Sequence, residues 1–155
     1  MFYLPKYLMN SFDISMSFGL AEYFKRPQRQ QIFNFHFILL KEKGISFISV
    51  PNAFCFPYRI AHLFLKLFNK FPLLEIPFTH AELKKNAYLA GYKSCEIVSS
   101  CFINAFDEFL MKNTLYFFAK RLGIRNFLKK KRLRKEIPTI LDDYLGYSLT
   151  LIGYK

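Results

Sequence analysis

A chain of 155 residues with 52% hydrophobic side chains and 20 Phe has enough apolar material for a packed domain, which excludes an intrinsically disordered chain. Its net charge of +12 draws it toward phosphates, whether in nucleic acid or on anionic lipid. Six Gly and seven Pro exclude a collagenous or linker-rich chain, and three Cys (Cys55, Cys95, Cys101) without a CxxC pair point to reduced, mostly buried thiols and a cytoplasmic protein.

Met1 to Met9 is apolar but broken by Pro5 and Lys6, with no small-residue cleavage site after it, so it does not read as a signal peptide. The longest uncharged run, Gly44 to Tyr58, holds Pro51 and Pro57 and is too short to cross a bilayer, so no transmembrane segment is expected.

Phe12 to Phe18 alternates apolar and polar residues and reads as a strand ended by Gly19. Gln28 to Leu40 reads as a helix with Pro27 near its first turn. Phe33, Phe37 and Leu40 share a face, Lys41 and Lys43 suit its C-terminal end, and Gly44 suits a stop. Ile45 to Val50 has the look of a strand buried on both faces in a parallel sheet, closed by Pro51 and Asn52.

Pro57 to Phe71 is amphipathic, with Ile60, Leu63, Phe64, Leu67, Phe68 and Phe71 in one stripe. Core packing is the plain reading of that stripe; a lid over an apolar acceptor or a membrane-docking face is the functional one. Thr79-His80-Ala81-Glu82 has the form of a capping box opening a helix that runs to Ala90 and stops at Gly91. Ser94 to Asn104 reads as a strand, Ala105 to Leu122 as a helix, and Tyr144 to Tyr154 as a final strand that Asp142-Asp143 introduces. Alternating strands and helices indicate an α/β domain with a largely parallel sheet.

The segment Phe12-Asp13-Ile14-Ser15-Met16-Ser17-Phe18-Gly19-Leu20-Ala21-Glu22-Tyr23 resembles the fourth strand and the following Leu-Glu-His turn of class I S-adenosylmethionine-dependent methyltransferases (type 11/12-like). Leu39 to Asn52 is similar to that family's Leu-Lys-Pro-Gly-Gly, fifth strand, Pro-Asn segment. Pro77 to Leu83 with Ala90-Gly91-Tyr92 resembles its Phe-Thr, Glu-Leu, Ala-Gly-Phe segment, and Leu149 to Lys155 its last strand. The resemblance covers most of residues 11–100 and 144–155, the C-terminal half of the family's fold. It implies a partial Rossmann-like, three-layer α/β fold, with a mostly parallel sheet and an antiparallel last strand, whose N-terminal strands and glycine-rich loop are missing. Residues 1–155 then form one truncated domain with a basic helical insertion at about 105–143.

The function this resemblance implies is methyl transfer from S-adenosylmethionine to an unidentified acceptor. The Val-Pro-Asn ending of the second strand differs from the Asn-Pro-Pro-Tyr of amino-methylating nucleic-acid enzymes, which favours a small molecule, lipid or sugar. Ser17, Phe18 and Gly19 would border the cofactor at the carboxyl end of their strand. Tyr23, standing where the family often has His, and Asn52, at the end of the next strand, are the substrate-binding candidates. Lacking the glycine-rich half, the chain reads as a fragment of a longer reading frame, an inactive remnant, or a subunit that borrows a cofactor loop from another chain.

His36, His62 and His80 are scattered, and no metal site is expected. The adjacent pair Asp107-Glu108 does not share a helix face and is no acid/base candidate. The alternative function is a non-enzymatic basic module. Residues 120–135, with Lys129, Lys130, Lys131, Arg132, Arg134 and Lys135, would then bind nucleic acid or an anionic membrane surface.

Overall fold

The computed structural model describes residues 4–67, 75–109, 121 and 139–155. Along the chain run β1 (Phe12–Phe18), α1 (Gln28–Leu39), β2 (Leu40–Pro51), α2 (Phe56–Leu67), α3 (His80–Ala90), β3 (Ser94–Ser100), α4 (Phe102–Ala105), α5 (Asp142–Leu145) and β4 (Ser148–Tyr154). Short 3-10 turns occupy Lys6–Leu8 and Ala21–Tyr23. Most of the basic run, and the expected helix beyond Phe109, lie outside the described residues.

The four strands make one sheet in the order β1-β2-β4-β3. β2 is parallel to β1, with Met16 opposite Phe47, and antiparallel to β4, with Phe47 opposite Ile152. The sheet is therefore mixed, with an antiparallel last strand. Strand β2 begins at Leu40, five residues before the expected Ile45, because α1 passes into it without a loop. Helical backbone ends at Leu39, and Leu40 is already extended at φ −74°, ψ 140°. Two carbonyls at this junction, those of Phe37 and Leu40, accept from the Lys155 ammonium at 2.9 and 2.6 Å. Lys41 to Gly44, expected to close the helix, lie in the strand instead, with Lys43 at φ 66° and the register to β1 shifting between Phe12 and Ile14.

The described residues fall into two compact units. The first comprises Met1–Asn52, Leu74–Val98 and Ser148–Lys155. Its core gathers Ile32 and Phe33 of α1, Ile48 and Val50 of β2, Leu83 and Ala87 of α3, and Leu149 and Leu151 of β4. Burying each such side chain stabilises the fold by about 1.5–3 kcal/mol. Helices α1 and α3 thus cover one face of the sheet. The expected Phe33-Phe37-Leu40 line faces the core: Phe33 and Leu40 are fully buried and Phe37 packs against them, with Arg29, Ile32 and His36 buried beside them. Thr79 caps α3 as its hydroxyl accepts from the Glu82 N–H at 3.1 Å, and Gly91 closes it at φ 105°. The Glu82 carboxylate does not complete a capping box; it pairs with Arg29 at 3.0 Å and Arg26 at 3.3 Å.

The second unit comprises Ala53–Leu73 and Ser99–Tyr147. Its centre is aromatic: Tyr58 lies 5.3 Å from Tyr147 and 5.5 Å from Phe109, ring centre to ring centre, beside buried Cys55 and Ala105. Strand β3 stops at Ser100 rather than Asn104, where Cys101 turns left-handed (φ 71°) and Phe102 starts α4. The Asp142 carboxylate accepts from the Phe102 N–H at 2.7 Å and from the N–H and hydroxyl of Thr139 at 2.6 and 3.0 Å. Asp142 to Leu145 is therefore the helical turn α5, and the last strand starts at Ser148, not Tyr144. Of the expected core stripe of α2, Ile60, Leu63 and Leu67 are 45, 60 and 72% exposed and Phe64 is half-buried, while Pro57, Tyr58 and Ala61 face inward; Phe68 and Phe71 lie outside the described residues.

Candidate functional site

The parallel pair β1/β2 delivers its carboxyl ends side by side, and there the sequence candidates meet. Ser17 is opposite Ile48 and Phe18 opposite Ser49. Gly19 follows at φ 67°, a left-handed backbone that glycine adopts without strain, and its N–H donates to the Ser49 carbonyl at 3.0 Å. Phe18 is 68% exposed, whereas the Ser17 hydroxyl is buried without a partner among the described residues.

The chain then folds back through the 3-10 turn, which buries Ala21 and Glu22. Glu22 is 2% exposed, and its Oε2 has no partner among the described residues. Burial pushes its carboxyl above the usual range, against its own backbone N–H, and the Glu75 charge raises it further while Arg29 lowers it. A side chain at position 19 would meet Glu22 Oε1 at 3.3 Å, so the glycine and the carboxyl are neighbours. Sequence reasoning did not single out Glu22. Its only signal was its place inside the Ala21-Glu22-Tyr23 match to Leu-Glu-His.

Tyr23 donates from its hydroxyl to Glu75 Oε1 at 3.0 Å. Partial burial and the Glu75 carboxylate raise its pKa. Ile76 N–H donates to the Glu22 carbonyl at 2.8 Å, stitching the turn to the segment before α3. Arg29, 3% exposed, holds this rim: Nε donates to the Phe24 carbonyl at 2.8 Å, Nη2 donates to the Ile76 carbonyl, Nη1 meets Glu82, and the guanidinium lies 4.0 Å from the Phe78 ring centre.

Asn52 lies at the same end of the sheet but is fully buried and bridges to Phe78, whose N–H donates to the Pro51 carbonyl at 2.9 Å. Ser17, Phe18 and Gly19 thus sit together with Glu22, Tyr23 shares the rim, and Asn52 serves the backbone joint between β2 and the approach to α3. A groove of about 470 Å³ elsewhere in this unit is lined by Arg26, Gln30, Thr79, Lys85 and neighbours, and by none of the strand-end candidates.

Among the described residues no group of three or more His, Cys, Asp or Glu is placed to hold a metal ion. Among the described residues Cys55, Cys95 and Cys101 form no disulfide, and burial pushes the Cys55 thiol up to about 11. Among the described residues no helix is long and apolar enough to cross a membrane.

No family model matches the chain, and no curated protein matches it. Solved structures do. A methyltransferase from Thermotoga maritima superposes with a TM-score of 0.59 at 17% identity, over 95% of this chain and 57% of its own. A second, from Archaeoglobus fulgidus, gives 0.55 at 16%, over 96% and 61%. A third, from Mesorhizobium loti, gives 0.55 at 12%, over 100% and 65%. All three are described as S-adenosylmethionine-dependent. The fold is that of the class I methyltransferases. The chain spans 57, 61 and 65% of the length of these three structures.

Proposed function

We propose that this chain serves methyl transfer from S-adenosylmethionine to a small-molecule or lipid acceptor, contributing the strand-end rim of the site rather than a complete one. The observation that carries the reading is the parallel β1/β2 pair ending at Ser17, Phe18 and Gly19 in a sheet of methyltransferase type. Ligands of open α/β sheets sit beyond the carboxyl ends of parallel strands.

S-adenosylmethionine, when bound, supplies a methyl group already activated on a sulfonium. The residues present fit only one end of it. Gly19 leaves space beside the backbone, and Ser17 and Glu22 offer buried oxygens without partners among the described residues. The 155 residues contain no Gly-x-Gly, the backbone cradle that the resemblance leads one to expect. The chain alone does not match the whole cofactor, so no step is drawn through it. Its residues have narrower roles. Glu22 keeps a carboxyl that holds its proton above the usual range against the strand end. Tyr23 and Glu75 fix one wall, and Arg29 fixes the loops that carry them. Within the second unit, the exposed stripe Ile60, Leu63 and Leu67 on α2, with Arg59 and Lys66 beside it, would suit an anionic membrane surface.

The test is equilibrium binding of labelled S-adenosylhomocysteine to the protein purified under native conditions from its own cells, with whatever accompanies it. Binding that disappears in Gly19→Val supports the reading, since a β-branched residue at φ 67° would be strained and would press on Glu22. No binding by any native form sinks it.

A further inference from the structure

Helix α2 presents two apolar faces. Pro57, Tyr58 and Ala61 form the inner one, where Tyr58 packs on Phe109 and Tyr147 within the second unit. Ile60, Leu63 and Leu67 form the outer one, and all three are exposed. At about 100° per residue these three share an arc of about 60°, roughly opposite the buried side chains. Arg59 and Lys66, both exposed, border the arc on one flank. None of the ion pairs among the described residues takes up either cation. The positive charge belongs to this stretch itself: from Gly44 to Leu74 the sequence has no Asp or Glu.

The chemistry of the outer face selects its occupant. Ile60, Leu63 and Leu67 offer no hydrogen-bonding side chain, and the polar groups at their margin are cations. A protein groove that wraps a basic amphipathic helix needs most of the helix free, whereas the inner side of α2 is held by its own unit. A flat anionic bilayer needs only one apolar face with cations at its edge. The 12 residues of α2 rise about 18 Å, short of the hydrocarbon core of about 30 Å, so the helix would lie in the plane of the interface. We propose that α2 docks this chain on an anionic phospholipid bilayer. Ile60, Leu63 and Leu67 enter the acyl boundary, and Arg59 and Lys66 stretch their apolar stems along it to reach lipid phosphates. The proposal stands on α2 alone and goes beyond methyl transfer, on which it does not rest.

The sequence contains no Trp, so Leu63→Trp puts a single fluorescent reporter on the outer face, with Tyr88→Trp on exposed α3 surface as control. The purified full chain is mixed with vesicles of phosphatidylcholine alone, or of phosphatidylcholine and phosphatidylserine in equal parts. Brominated acyl chains quench a Trp that reaches them. The expected result is a blue shift and quenching at position 63 with the serine-lipid vesicles, and neither at position 88. With the reporter at 63, Leu67→Glu should weaken partitioning by roughly tenfold or more. Arg59→Gln and Lys66→Gln should each weaken it by about fivefold. Circular dichroism checks every variant; Ile60→Trp and Leu67→Ser stand in for any that unfolds. Vesicle binding without quenching at position 63, as the basic run 120–135 alone would give, overturns the proposal. So does no binding, equal quenching at both positions, equal insertion into neutral vesicles, or a blue shift given by polyglutamate and not by lipid. If the chain binds labelled S-adenosylhomocysteine but does not insert, docking falls and methyl transfer stands. If it inserts but no native form binds that ligand, docking stands and the methyl-transfer reading falls.

Discussion

The two faces of the sheet are built from the same strands by the same alternation, yet they are opposites. On the covered face Ile48, Val50, Leu149 and Leu151 are buried under α1 and α3. On the open face Ile14, Met16, Phe18 and Val98 are each more than half exposed. In β1 the arrangement is inverted: its polar row faces the helix, where Ser15 meets His36 at 2.6 Å, and its apolar row faces outward. Alternation tells which residues share a face; it does not tell which face has a cover. In β1 the apolar row is thus bare while a Ser-His pair is buried opposite it.

The sharpest way to break the comparison is to truncate one residue on each face. Leu151→Ala on the covered face should cost about 2–5 kcal/mol, a transfer term plus an unfilled cavity, read as a lowered urea midpoint. Next comes the buried imidazole. Burial holds His36 down to about 4, so it stays neutral in the folded chain while the unfolded chain takes its proton near 6.5. The unfolded state then binds more protons between those values. His36 therefore contributes fully above about pH 6.5, and that contribution is lost as the pH falls toward 4, by about 3 kcal/mol in all. Unfolding titrations of wild type and His36→Gln across pH 4–7.5 should diverge over that window; parallel curves would refute the assignment.

Arg29→Met should cost about 1–3 kcal/mol, because it leaves the Phe24 and Ile76 carbonyls without their guanidinium donor. It should also loosen the Glu22–Tyr23 turn, seen as faster amide exchange at Ile76, whose N–H donates into it. The smallest effect belongs to the open face. Met16→Ser should leave the stability of the isolated chain within about 0.5 kcal/mol while reducing its tendency to self-associate. A loss comparable to that of Leu151→Ala would mean that the face is covered.

The βα order was readable because β1, α3 and β4 carry clean periodicities, and Thr79 and Gly91 mark the ends of α3 by chemistry that only caps provide. The junction at Leu39-Leu40 was not readable. Three charged residues followed by Gly44 look like a helix terminus, and only the distant Lys155 ammonium shows how the helix-end carbonyls are satisfied inside a direct helix-to-strand passage. Asp142 misled for a similar reason: its capping of Phe102 spans 40 residues, which no local pattern reports. The burial of Arg29 and His36 beside the apolar line of α1 was hidden, because a polar side chain signals burial only once its partners are known. The position of Ser17, Phe18 and Gly19 at the carboxyl end of β1 was legible from the alternation of the strand and the glycine after it. Glu22 was passed over because a lone acid in a turn carries no periodic signal.

The central strand receives its two neighbours at very different times. Its pairing with β1 is available once residue 51 has been made, but its pairing with β4, which begins with Pro51 opposite Ser148, needs nearly the whole chain. At about 5–20 residues per second of synthesis, β2 remains an edge for roughly 5–20 s. During that interval the nascent chain presents the β4 side of β2 unpaired. Ribosome-associated chaperoning, more than equilibrium stability, should therefore govern how much of this protein a cell recovers in folded form.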